Sequence, residues 1–255
     1  MYIIFDTETT GLPRDYNAPM SDVDNWPRLV QLAWQLHDAQ GKLISNHNYI
    51  VKPEGFTIPY NAEKVHGIST KRALAEGHDL KEVLAIFEKD VAEAKHLVGH
   101  NIEFDINVVG SEFIRAELPM PLTANPLDTK DISTEFCAIP GGKGGKFKWP
   151  TLTELHQKLF GEGFGDAHDA AYDVDATARC FFGLITQGVQ KPEEGVAVSE
   201  VIYEAPKLAE ANFAQAKDSQ KAAAKDVLKQ AGKADISDLV DIPFTHLHVH
   251  TQYSV

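Results

Sequence analysis

Three short segments of this chain gather carboxylates where apolar runs end. The first is Phe5-Asp6-Thr7-Glu8-Thr9-Thr10-Gly11-Leu12. In a strand, residues two apart share a side, so Asp6 and Glu8 present two acids to one place at the strand's end. Burying a lone carboxylate costs several kcal/mol unless it is paired or cation-bound, so such a pair asks for metal ions. Two acids left in water where the strand meets a turn are the competing reading. The second segment is Gly99-His100-Asn101-Ile102-Glu103-Phe104-Asp105. Asn101 there reads as an N-cap between strand and helix, which puts Asp105 in the first helical turn, facing the same crevice as Asp6. A helix dipole alone would also favour that acid. The third is Asp166-Ala167-His168-Asp169-Ala170-Ala171-Tyr172-Asp173. In one continuous helix His168 and Asp173 would diverge by about 140°. His168 therefore belongs on the entering loop and Asp173 inside the helix. Singly, each segment has a structural explanation; the weight lies in their combination.

The elements that must position these acids follow from apolar periodicity. Tyr2 to Asp6, Leu29 to Leu36 and Leu43 to Val51 read as strands, the last two joined by a turn at Asp38-Ala39-Gln40-Gly41, so the opening is antiparallel. Arg14 to Pro27 reads as a loop. From Asp79, Leu80, Val83, Leu84, Phe87 and Val91 recur at helical spacing. Strand and helix then alternate: a strand at Leu97 to Gly99, a helix from near Asn101, a strand near Leu127, and helices around Thr151 to Leu159 and Asp169 to Ile185. The pattern predicts an α/β domain with a mixed sheet covered by helices. After about Gln187 the texture changes to Lys191-Pro192-Glu193-Glu194-Gly195 and then an Ala/Lys/Gln-rich stretch over Lys207 to Gly232. The expected organisation is a domain over 1–187, a linker and helical arm over 188–243, and a separate start over 244–255.

The ordered set F-D-T-E-T-T-G-L, H-N-x-x-F-D and H-x-A-x-x-D resembles the three exonuclease motifs of the DEDD superfamily, in its DnaQ-like branch with a histidine in the last motif. The sister branch carries a tyrosine where this chain has Asp169. The resemblance spans Tyr2 to Ile185 and implies a ribonuclease H-like fold with a five-stranded mixed sheet. It also implies that Asp6, Glu8, Asp105 and Asp173 hold two divalent cations, that His168 is the general base, and that Thr9, Leu12, His66 and Phe104 contact the terminal nucleotide. The expected activity is 3′→5′ hydrolysis of DNA, with Mg²⁺ or Mn²⁺ favoured by oxygen-only ligands. The segment Phe244 to Ser254, with His248 and His250, resembles the opening motif of the polymerase-and-histidinol-phosphatase domain of bacterial DNA polymerase III alpha chains. It implies fusion to, or association with, a replicative polymerase alpha subunit, while the exonuclease resemblance implies a single-stranded or frayed DNA 3′ end as substrate.

Composition narrows the alternatives. A formal net charge of −13 argues against a protein that coats nucleic acid nonspecifically, yet suits a nuclease that collects cations. No run approaches the roughly 18 apolar residues of a membrane span, and no basic leader precedes the first strand, so a cytoplasmic protein with no membrane partner is expected. Cys137 and Cys180 are too few for a disulfide framework. The loop Pro140 to Trp149 is the one conspicuously basic patch, able to steer a single strand or merely solvated; it lacks P-loop spacing. Two rival functions remain: an exonuclease for RNA or short oligonucleotides on the same scaffold, and a non-catalytic module that tethers a polymerase.

Overall fold

Strand β1 (Tyr2–Thr9) is apolar on both faces: Ile3 and Phe5 point one way, Tyr2 and Ile4 the other, and all four are buried. Such a strand belongs in the middle of a sheet that is covered on both sides. The computed structural model, which describes residues 1–164 and 169–206, places it there. β2 (Leu29–His37) lies antiparallel to β1, and β3 (Leu43–Ile50) antiparallel to β2. β4 (His96–Gly99) and β5 (Asn125–Asp128) run parallel to β1, giving the order β3-β2-β1-β4-β5. The expected five-stranded mixed sheet is present, and its hairpin closes at Asp38 by a 3.0 Å bond to the Lys42 carbonyl.

Helices α3 (Leu80–Glu93) and α4 (Ile102–Arg115) cover the Ile3/Phe5 face, with Leu84, Phe87, Val109 and Phe113 fully buried. α7 (Ala170–Thr186) covers the Tyr2/Ile4 face with Val174, Phe181, Phe182 and Ile185. Each of these side chains contributes roughly 1.5–3 kcal/mol by leaving water, so all three helices are clamped to the strand that carries Asp6. α6 (Leu152–Phe160) starts at a Thr151–Glu154 capping box and packs with α5 (Thr129–Cys137) against α7. The short α1 (Tyr60–His66) and α2 (Thr70–Glu76) enclose a small cluster around Val30, Ile58 and Ile68. Among the described residues no helix is long and apolar enough to cross a membrane.

The expected boundary at residue 187 falls inside the packed unit. Val201 is buried on the Tyr2 face, and Tyr203 stacks on Phe182 with centroids 5.7 Å apart. The Ile202 and Glu204 amides donate to the Gln40 and Gly41 carbonyls at 2.8 and 3.0 Å. Glu193 pairs with the Met1 amine and, at 3.0 Å, with Lys95. A polar, proline-bearing stretch reads as linker, but a few apolar side chains and main-chain bonds suffice to dock it. The expected arm from Lys207 onward, the Phe244 to Ser254 segment and His168 all lie outside the described residues.

One buried charge ties α4 to the strand end. Glu112 is fully buried, accepts from Arg28 Nε at 2.9 Å and from the Leu29 amide at 3.0 Å, and pairs with Arg115 at 2.9 Å. Arg28 in turn exchanges bonds with Thr10, the amide of each meeting an oxygen of the other. Glu112→Ala leaves two guanidinium groups without their partner and is expected to cost about 3–5 kcal/mol, measured as a loss of unfolding free energy in urea. A loss within about 0.5 kcal/mol would show that water replaces the carboxylate.

Candidate active site

The apolar part of β1 ends at Asp6, and the register with β2 sets Asp6 opposite Ala33 and Glu8 opposite Gln31. The strand's alternation puts both acids on the α7 side, where Asp173 occupies the first helical turn. One oxygen each from Asp6, Glu8 and Asp173 lies within 4.8 Å of the others. Burial first, then the charges of Asp105, Asp173, Glu8 and Asp169, push the Asp6 carboxyl well above its usual range. Glu8 is pushed up to about 9, by burial and then by Asp173, Asp105 and Asp169. Among the described residues, the charges that shift these two carboxyls are all negative. Oxygen-only donors and uncompensated negative charge fit a hard divalent ion.

Asp105 arrives from the opposite face. It sits in the first turn of α4, 3% exposed, and its Oδ1 accepts from the Thr7 amide at 3.0 Å and the Thr7 hydroxyl at 2.6 Å. Thr7, between the two strand acids and pointing away from them, therefore fixes a third acid. Burial raises the Asp105 carboxyl to about 7, while the two Thr7 bonds pull it down. It stands outside the 4.8 Å group, yet it is the strongest single charge on Asp6, so it borders the same cleft.

Asn101 does not cap α4 through its side chain, contrary to expectation. Its backbone is left-handed, with φ 78°, whereas a capping side chain reaches the second or third helical amide from extended geometry. Its Oδ1 instead accepts from Lys130 at 2.7 Å, and its amide donates to Asp128 at 3.0 Å. Of the expected nucleotide contacts, Thr9 is buried and donates to the Gly11 carbonyl at 2.6 Å, and Leu12 is 52% exposed. Phe104 is partly buried against Trp26. His66 is buried beside the Thr9 main chain, and its Nδ1 accepts from the Ile68 amide at 3.1 Å.

Sequence reading missed what holds α7 in place. Asp169 caps the helix through the Ala171 amide at 3.0 Å and accepts from Gln31 at 3.1 Å, while Gln31 also reaches Asn48 at 2.9 Å and accepts from the Ala170 amide at 3.4 Å. Deeper, Gln35 donates to Asp175, whose carboxyl burial raises to about 7, and His37 links Gln35 to the Gly41 carbonyl. A signal was present: Gln31, Gln35 and His37 interrupt an apolar strand at even spacing, so that one face had to meet polar atoms.

A central strand ending in carboxylates, with a helix delivering a further acid from each side of a β3-β2-β1-β4-β5 sheet, is the ribonuclease H-like arrangement of a nuclease. The RNase T exonuclease family model matches residues 3–181, and the chain belongs to that family, in its DnaQ-like DEDD branch. Its relatives include "DNA polymerase III PolC-type" from Staphylococcus aureus strain bovine RF122 / ET3-1, 27% identical over 190 residues. The strain MW2 protein is likewise 27% identical, and the match spans 73% of this chain but 11% of that relative. Escherichia coli exonuclease I bound to single-stranded DNA and zinc shares the fold, with TM-score 0.58 and 22% identity over 73% of this chain and 40% of that one. Its complex with a dT13 oligonucleotide is 23% identical, with TM-score 0.58 over 72% and 40% of the two chains.

The crowded acids set a pH signature. Glu8 and Asp105 hold protons in the folded chain above their unfolded pKa values, so the folded state binds more protons between about pH 4 and 9. In chelator, Tm is expected to fall as pH rises through that window. Mg²⁺ or Mn²⁺ should restore more at pH 8 than at pH 5, and Asp6→Asn should raise the chelated Tm at pH 8. A flat profile with no metal effect would mean that the acids do not share a site.

Proposed function

We propose that this chain hydrolyses DNA from the 3′ end, releasing nucleoside 5′-monophosphates, in proofreading for a replicative polymerase. The observation that carries the reading is the group Asp6, Glu8 and Asp173 within 4.8 Å, with Asp105 held beside it by Thr7. Family membership supports the reaction class. The names of the relatives support the replicative setting, and a neighbour titled as a single-stranded DNA complex supports the substrate.

In this reading Asp6, Glu8, Asp105 and Asp173 hold two divalent cations, Mg²⁺ or Mn²⁺. Two such ions supply charge stabilisation for the attacking and departing oxygens of a phosphodiester. Asp6, which feels the charges of both Asp105 and Asp173, would serve both ions. Thr9 and Leu12 follow the strand acids, Phe104 precedes Asp105, and His66 lies beside Thr9; together they seat the terminal nucleotide. His168 takes the proton of the attacking water, since an imidazole with a pKa near 6.5 is largely neutral at the working pH. The nuclease unit then runs past the docked residues to about 206, with a linker to 243 and the start of a polymerase-type domain over 244–255. Fusion to or association with an alpha subunit in the cytoplasm follows from that arrangement.

The test is digestion of 3′-labelled and 5′-labelled single strands, DNA and RNA, with Mg²⁺ and with chelator. Mononucleotide release from DNA, stopped by chelator and reduced to background by Asp6→Ala, is expected. His168→Ala should lower turnover roughly a hundredfold or more. Preferential cleavage of RNA would reassign the substrate, and an inert wild-type chain would leave the tethering role.

A further inference from the structure

Three tryptophans occur in the sequence, and two are core residues: Trp26 is 3% and Trp34 0% exposed. Trp149 is 60% exposed. An indole left open in this way offers a flat apolar face on which another ring can stack. This one is also held in place. The carbonyl of its buried neighbour Pro150 lies 3.0 Å from Nε2 of His100, whose Nδ1 is 3.0 Å from Thr129 Oγ1. On its other flank the lysine-glycine loop is closed rather than loose: the Lys148 amide donates to Ile139 and the Gly142 amide to Lys146, both at 2.9 Å. Glycine is required at 142, where a Cβ would meet the Phe147 carbonyl oxygen at 2.3 Å.

Lys130 links this ring to the catalytic cleft. Its ammonium stands 4.5 Å from the Trp149 ring centroid and 2.7 Å from Asn101 Oδ1. Asn101 immediately precedes α4, one turn before Asp105, and Lys130 lies in the first turn of α5, at the carboxyl ends of β4 and β5. These are the strand ends that run parallel to β1 and open on the same side as Asp6. An indole and an ammonium thus flank the Asp105 side of the acidic cluster. Lys143 and Lys146, both exposed, extend positive charge along the neighbouring loop in a chain of net charge −13.

We propose that Trp149 and Lys130 form a binding platform for single-stranded nucleic acid, the indole stacking on a base upstream of the 3′ nucleotide and the ammonium meeting its phosphate. The inference rests on the nuclease reading for its direction of travel, and on the exposed ring beside a cation for its chemistry. Every base has a π-face, so such a platform accepts any sequence and grips strands long enough to reach it.

Steady-state hydrolysis of dT12 and of a chromogenic nucleotide ester, the p-nitrophenyl ester of thymidine 5′-monophosphate, separates the two readings. Trp149→Ala in the full chain should raise KM for dT12 about tenfold, the loss of roughly one stacked base, with kcat within twofold. Trp149→Phe should recover most of it. The ester, too short to reach the ring, should show no such rise. Lys130→Gln should reduce the slope of log KM against log salt by about 0.7, one phosphate contact. As the one exposed indole, Trp149 should also lose fluorescence when dT12 is titrated into the wild-type chain in chelator. An active wild-type enzyme whose dT12 KM is unmoved by Trp149→Ala overturns the platform and leaves the nuclease. A wild-type chain inert on both substrates overturns the nuclease, and quenching by dT12 alone then decides the platform: quenching keeps it, none removes it.

Discussion

Carboxylates that repel one another, held together at the end of one strand, are the constraint from which the remaining structure follows. With Asp6, Glu8 and Asp173 within 4.8 Å and Asp105 adding its charge, the folded chain pushes both strand acids far above their ordinary range. Left to themselves these groups would swing apart or protonate. They stay because each backbone that carries them is fixed by something else, and that supporting apparatus accounts for much of the polar interior.

The apparatus works from both faces of the sheet. On one side, apolar packing of α4 against Ile3 and Phe5 brings Asp105 to Thr7, and buried Glu112 locks the same helix to the start of β2. On the other, α7 is pressed onto Tyr2 and Ile4 by its phenylalanines, while Gln31 and Gln35 of β2 hold its first turns through Asp169 and Asp175. Burial supplies the larger energy but sets position only loosely. The side-chain hydrogen bonds to β1 and β2 narrow that position, as a site built from several converging side chains requires.

The negative interior also explains the surroundings. A chain of net charge −13 must still admit a polyanion. Ions held by the acids would invert the local sign of the cleft, and two cations are seated over aromatic rings, Lys130 over Trp149 and Arg28 over Phe56. His100, which belongs to the same H-N-x-x-F-D segment as Asp105, has a structural duty here, since it anchors the Trp149 loop rather than the acids.

The strands and the long helices were legible in the sequence because they are local, and so was the pairing of Asp6 with Glu8 on one strand. Alternation along Tyr2 to Thr9 puts Asp6 and Glu8 on one side whatever surrounds them, and helical periodicity announces α3 and α7. Three things were decided only by the tertiary structure. Asn101 gives up its cap to bond Lys130, a partner 29 residues away. The polar stretch after Gln187 docks through Val201 and Tyr203, because the groove between β2 and α7 was there to receive it. The glutamines of β2 become anchors for α7 because two segments more than a hundred residues apart meet across the sheet. Periodicity records which face of an element is apolar; it cannot record which distant atom a polar side chain will find, and that is settled when the elements pack.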